Sequence, residues 1–193
     1  EALYYRSDLM SQAGLHPPES FEELAECAAK LADPPRRYGL GVPGAGWGGE
    51  ELVHVLAAAQ GEIERNDAGS IEPNQPPFAS ALTLLQTLQS RGGVQPEVLT
   101  WSEAELAELM IRGRLAMMLA RPWLGIMLDR AEAARQLELR ECQKLGEAGQ
   151  ARAAELQAAK IEWDTAPLPV ANGGAGHLTV DWLVLFRTSN SPQ

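Results

Sequence analysis

Few residues of this chain have the types and spacing for covalent chemistry. The three histidines, His16, His54 and His177, stand apart, with no serine, cysteine or carboxylate spaced to form a nucleophile and base. Cys27 and Cys142 form no CxxC pair, and histidine is too sparse for a zinc site. The glycine-rich runs lack the Gly-x4-Gly-Lys-Ser/Thr pattern and the strand–GxGxxG–helix context, so no nucleotide site follows. We therefore expect no catalytic residue, no metal and no cofactor. What remains are aromatic rings at chain reversals, which suit non-covalent recognition. Trp123 follows a short apolar run and Pro122; Trp47 sits in the run Pro43-Gly-Ala-Gly-Trp-Gly-Gly49; Asp181 precedes Trp182 inside an apolar segment.

The elements around Trp123 explain why it would be presented. Ser102 with Glu105 three residues on is a capping box, so a helix starts there. Leu106, Leu109 and Met110 recur at helical spacing, and Gly113 can take the left-handed conformation that closes a helix. Leu115 to Leu119 is short and wholly apolar, as a strand covered on both faces would be. Pro122 then ends the strand and can open a new helix. A flat ring on a rigid element at a reversal can meet a ligand; a core Trp is the alternative. Trp47, with Gly46 before it, is either a ring on a permissive loop or a lid over the helix behind it. Asp181 costs free energy in its apolar run unless paired or solvated. Arg121 could pair with it or meet an anion; a solvated surface arginine is the plainer reading.

The rest of the chain alternates short strands with amphipathic helices. Strands are expected at Ala2–Tyr5, Tyr38–Val42, Leu115–Leu119, Ile161–Ala166 and Leu178–Phe186. Helices should follow Ser7, Ser20 (with Glu23 completing a capping box), Glu50, Pro76 and Ser102, and Asp67-Ala-Gly69 should turn a hairpin. The segment 128–160 is rich in strong helix formers and holds no proline; Gly146 and Gly149 interrupt it, as the turn of a helical hairpin or as the kink of one helix. This pattern predicts an α/β fold of three layers, a mixed sheet between helices.

With 193 residues and 45% hydrophobic content, the chain can bury one ordinary core or form one large lobe of a two-lobed protein. A formal net charge of −10 without a basic block argues against nucleic acid and against an anionic membrane surface. Cys27 falls on the apolar side of a helix and reads as a buried thiol; pairing with Cys142 depends on the fold. There is no run long enough for a membrane helix, which needs about 18 apolar residues. The chain does not begin with Met and shows no signal peptide, so we expect a segment of a longer product.

The stretch around Trp123 resembles a signature of the extracellular solute-binding proteins of ABC importers, the maltose-binding-like sugar class. There a Gly-Lys-x-Ala-Met segment is followed by Gly-x-Trp or Gly-Pro-Trp. Gly113-Arg114-Leu115-Ala116-Met117 and Arg121-Pro122-Trp123 match, with arginine for the lysine and for the second glycine. Other marks resemble the family in order: Leu3-Tyr-Tyr-Arg-Ser-Asp8, Ala13-Gly-Leu-His-Pro-Pro-Glu-Ser-Phe-Glu-Glu-Leu24, Gly61-Glu-Ile63 with Asp67-Ala-Gly69, Ala166-Pro-Leu-Pro169 and Thr188-Ser-Asn-Ser-Pro192. The resemblance leaves out Asp129 to Lys160.

The resemblance implies a type II periplasmic-binding-protein fold and a non-enzymatic receptor. Residues 1–127 and 161–177 would form most of a C-terminal lobe, 128–160 a helical insertion, and 178–193 a strand crossing toward an N-terminal lobe. Ligand contacts would come from Gly46, Trp47, Arg121, Trp123, Asp181 and Trp182. Sugar C–H faces stack on aromatic rings, and a carboxylate can accept from two hydroxyls. The partners implied are a small solute, chiefly carbohydrate, ABC permease subunits and the other lobe; the location is periplasmic or extracellular, with or without a lipid anchor. A non-sugar solute, or an interaction or sensor module using the inserted helices, is the alternative. Unpaired apolar edges recruit another chain, so Leu178–Phe186 should make this chain a homodimer. Light scattering should show a dimer that becomes monomeric when residues 178–193 are removed; a monomer in both forms refutes edge pairing, and a dimer in both points to the inserted helices.

Overall fold

The computed structural model describes residues 1–171 and Gly174. In chain order these form β1 (Ala2–Arg6), α1 (Ser7–Gln12), α2 (Phe21–Leu31), β2 (Tyr38–Gly41), α3 (Trp47–Gln60), α4 (Pro76–Ser90), α5 (Glu103–Ile111), β3 (Leu115–Ala120), α6 (Trp123–Lys144), α7 (Gln150–Ala158) and β4 (Trp163–Ala166). Single 3-10 turns precede α5 and separate α6 from α7. The sheet order is β2-β3-β1-β4. β2 runs parallel to β3, while β1 runs antiparallel to both β3 and β4, so the sheet is mixed, as expected.

Period-2 alternation divides the strands between two cores. Leu3 and Tyr5 of β1, with Met117 and Leu119 of β3, face a cluster completed by α2, α3 and α4. Tyr4, Met118 and Ala120 face the other side, where α5 and α6 supply Leu106, Met110, Leu124 and Leu128. All six residues of β3 are buried, which is why its sequence shows no polar face. The four strands expected within the described residues are present, with ends shifted by one or two residues.

The return from α5 into β3 takes three residues. Gly113 has φ of +70°, its N–H donates to the Met110 carbonyl, and the Arg114 N–H donates to the Leu109 carbonyl at 2.8 Å. This Schellman closure leaves β3 to begin at Leu115.

One expectation is corrected. The loop after β2 is shorter than Pro43–Gly49, because α3 starts at Trp47 rather than Glu50. Gly48 and Gly49 belong to its first turn, and a Cβ on Gly49 would lie 3.0 Å from the Gly44 carbonyl oxygen, so close packing outweighs poor helix propensity. α6 runs without a break from Trp123 through 22 residues, and α7 folds back on it, so of the two readings of Gly146 and Gly149 the hairpin is the one formed. Arg135 fastens the pair by donating to the Leu156 carbonyl and to Glu132, both at 2.7 Å. Cys27 and Cys142 are both buried and free. The expected strand Leu178–Phe186, with the whole of 178–193, lies outside the described residues.

Helix α2 lies so close to β2 that no side chain fits between them. A Cβ on Gly39 would stand 1.8 Å from the Ala28 carbonyl oxygen. Gly39→Ala must push helix and strand apart, and should cost about 1–3 kcal/mol in urea unfolding, as overpacking does. An unchanged midpoint would show that the layer gives way freely.

Candidate functional site

Chain direction brings the candidate residues to one edge of the sheet. β2 and β3 are parallel and end at the same edge; β1 begins there, with Ala2 opposite Ala120. In open α/β sheets, ligands bind outside the carboxyl ends of the strands. Onto this edge come the Pro43–Gly46 loop after β2, Arg121 and Pro122 after β3, and Glu1 before β1. Helices α3 and α6 begin directly after those two loops. The start of α5 joins them, because the N–H groups of Gly44 and Ala45 donate to the Trp101 carbonyl, each at 3.1 Å. A capping box fixes that start: Glu105 N–H donates to Ser102 Oγ, and Ser102 N–H donates to Glu105 Oε2 at 2.8 Å.

Trp123 opens α6 and is half-buried, packed by part of its ring against the second core. Its neighbours explain the orientation of the helix. Leu124 and Leu128 are buried, and Gly125 lets the helix down onto Tyr4 and Trp163, whose rings are 5.7 Å apart. The other tryptophans in view are held by the fold. Trp101 stands edge-on to Tyr38 at 6.2 Å and donates to Glu97, and Trp163 packs on Tyr4. Gly46 is exposed with φ of +63°, a conformation that favours glycine. The backbone of Trp47 opens α3 beside it; its side chain, with Asp181 and Trp182, lies outside the described residues.

Arg121 is not the solvated surface arginine expected. Its guanidinium forms an ion pair with Glu51 of α3, and the two side chains are 33% and 20% exposed. The sequence reading missed Glu51 and two further carboxylates at this edge. Oxygens of Glu1, Glu51 and Glu103 lie within 4.8 Å of one another. Such spacing could suit a hard cation, but the Arg121 guanidinium already supplies positive charge at Glu51. Burial raises the Glu103 carboxyl above the ordinary range; Arg121 opposes that and Glu51 adds to it. Burial likewise raises Glu1, and the charge of Glu51 raises it further. A sequence signal did exist for Glu51, since it stands one helical turn after Trp47. Nothing local marked Glu103, which only the tertiary fold brings to Glu51. Together the edge offers a partly exposed indole face, carboxylate acceptors and a guanidinium donor, a combination suited to a neutral polyhydroxylated molecule.

The family model described as bacterial extracellular solute-binding protein matches residues 1–193. A Brucella abortus (strain 2308) protein, named as a binding protein, is 28% identical over 126 residues, 64% of this chain and 31% of that one. Among solved structures, an ABC transporter solute-binding protein from Thermotoga lettingae TMO, bound with alpha-D-tagatose, superposes with a TM-score of 0.65. It is 22% identical over 88% of this chain and 39% of that chain. One from Agrobacterium radiobacter K84, in complex with ribitol, gives 0.54 and 28% identity over 61% of this chain and 30% of its own. The chain thus spans about a third of the length of these relatives.

The raised Glu103 carboxyl sets a sign. A carboxyl whose pKa is raised by folding destabilises the fold once ionised, so its penalty is full above the folded pKa and fades as pH falls through it. Glu103→Gln should raise the melting temperature at neutral pH, by an amount worth at most about 1 kcal/mol, since water still screens this partly buried group. The gain should shrink toward the ordinary carboxylate pKa. Paired thermal melts across that range check it, and a variant less stable at neutral pH would show that Arg121 outweighs burial.

Proposed function

We propose that this chain supplies one lobe of a sugar or sugar-alcohol receptor for an ABC importer, on the premise that it belongs to the bacterial extracellular solute-binding protein family. The fold is of the type II periplasmic-binding-protein class. The family is one of extracellular or periplasmic receptors rather than enzymes. In this reading residues 1–127 and 161–177 build the C-terminal lobe, and the strand edge carrying Gly46, Arg121 and Trp123 is its half of the cleft. The other lobe and the permease subunits are the protein partners. The observation that carries the solute class is Trp123, half-buried just past the rigid end of β3 and two residues after Arg121, which pairs with Glu51. Its indole would stack on the C–H face of a sugar ring, while Glu51 and Glu103 accept from hydroxyls and Arg121 donates to a ring or hydroxyl oxygen. Trp47, Asp181 and Trp182 are further candidate contacts for the same solute. Lobe closure would expel water and strengthen each of these contacts.

Calorimetric titration of the complete two-lobed protein with glucose, maltose, D-tagatose, ribitol and mannitol, against amino acids and a tripeptide, tests the reading. At least one polyol or sugar should bind and the amino compounds should not. Trp123→Ala should weaken that binding by about 1–3 kcal/mol without altering the fold. Selective binding of an amino acid or peptide would replace the sugar reading, and undiminished affinity in Trp123→Ala would remove the indole from the site.

A further inference from the structure

We propose that Gln95 is a positioning residue for the solute cleft, clamping the Pro43–Gly46 loop from beneath; this rests on the receptor reading above. Gln95 has no exposed surface. Its Nε2 donates to the Val42 carbonyl at 2.6 Å, and the Val42 N–H donates to its Oε1 at 3.3 Å. Val42 is itself buried, one residue past the end of β2.

The reason for this arrangement lies in an interrupted ladder. On its outer side β2 pairs with a single residue, Leu40 with Val94 in parallel, and the Leu40 N–H donates to the Gly93 carbonyl at 2.8 Å. The next rung of a parallel ladder would take Val42 to backbone beyond Val94. Pro96 follows, and the chain turns away into the 3-10 turn Val98–Thr100. The Gln95 amide takes the place of the missing peptide group. It carries a donor and an acceptor in one plane, which is what both groups of Val42 require. Either group left unpaired in a dry interior would keep its full desolvation penalty.

Val42 is followed by Pro43 and the loop. Gly44 and Ala45 donate to the Trp101 carbonyl, and a Cβ on Gly44 would stand 2.2 Å from the Val98 carbonyl oxygen. Gly46 then turns the chain into α3, whose second turn carries Glu51 to Arg121. Two anchors, the Gln95 amide and the Trp101 carbonyl, thus set where Gly46, Trp47 and Glu51 stand relative to Trp123. With no surface of its own, Gln95 acts on a solute only through that loop.

The test uses the complete two-lobed protein with Gln95→Met, which removes both hydrogen bonds at similar volume, and with Gln95→Glu, whose protonated carboxyl restores one donor and one acceptor. Hydrogen-exchange protection at Val42, Gly44 and Ala45 should fall about tenfold or more in Gln95→Met, while Tyr4 and Met118 in the centre of the sheet keep theirs. In Gln95→Glu the loop's protection should be low at about pH 8 and recover at about pH 5, and in Gln95→Met it should not recover. Titration with the five sugars and polyols named above should show affinity about tenfold weaker in Gln95→Met, recovering at low pH only in Gln95→Glu. Equal loss of protection across the whole sheet, or a loosened loop with unchanged affinity, overturns the positioning role alone. Wild-type protein that binds none of the five overturns the receptor reading, and this role with it.

Discussion

The structure depends on β3 being dry on both faces. Six residues from Leu115 to Ala120 have almost no contact with water, so their backbone groups must be paired on both sides. β2 and β1 supply that pairing, one parallel and one antiparallel, and helices cover the two faces. Fixing β3 fixes both of its ends. At one end Gly113 forces the abrupt return from α5; at the other the strand stops at Ala120 and leaves Arg121, Pro122 and Trp123 at the sheet edge. The candidate site is therefore not an addition to the fold. It is where the most buried strand leaves the core.

That edge combines chemistries that compete. Carboxylates gathered at half-burial lose hydration and repel one another, which raises Glu1 and Glu103. The same crowding concentrates acceptors at a place where water can be displaced. Arg121 limits the repulsion through its pair with Glu51, and in doing so links α3 to the exit of β3. A neutral polyol would exchange hydrogen bonds with such a cluster without having to bring a countercharge.

Local signals made much of the architecture legible. The Ser102–Glu105 capping box, Gly113, the apolar run of β3 and the glycines of the α6–α7 turn each state their conformation within a few residues. Trp123 and Gly46 could be found the same way, because each sits next to a stop signal. What stayed hidden depends on contacts distant in sequence. Glu103 lies near Glu51 only after folding, and nothing local marks Gln95 until β2 is placed beside it. The start of α3 was misplaced because Gly48 and Gly49 oppose a helix locally, while close packing against Gly44 favours it. Arg121 read as solvated because its partner is 70 residues away.

Helix α6 has a mechanical consequence. It begins at Trp123, at the sheet edge, and continues for 22 residues to Lys144 without a proline or a break. At 1.5 Å per residue it is a rod about 33 Å long. Arg135 and the close fit of Gly149 against Cys142 brace its far half with α7, so bending is opposed where a lone helix would be softest. A rotation of about 5° at the Trp123 end would carry the Lys144 end through about 3 Å. The hairpin is in this sense a pointer, whose tip magnifies small reorientations of the sheet edge at a surface far from it.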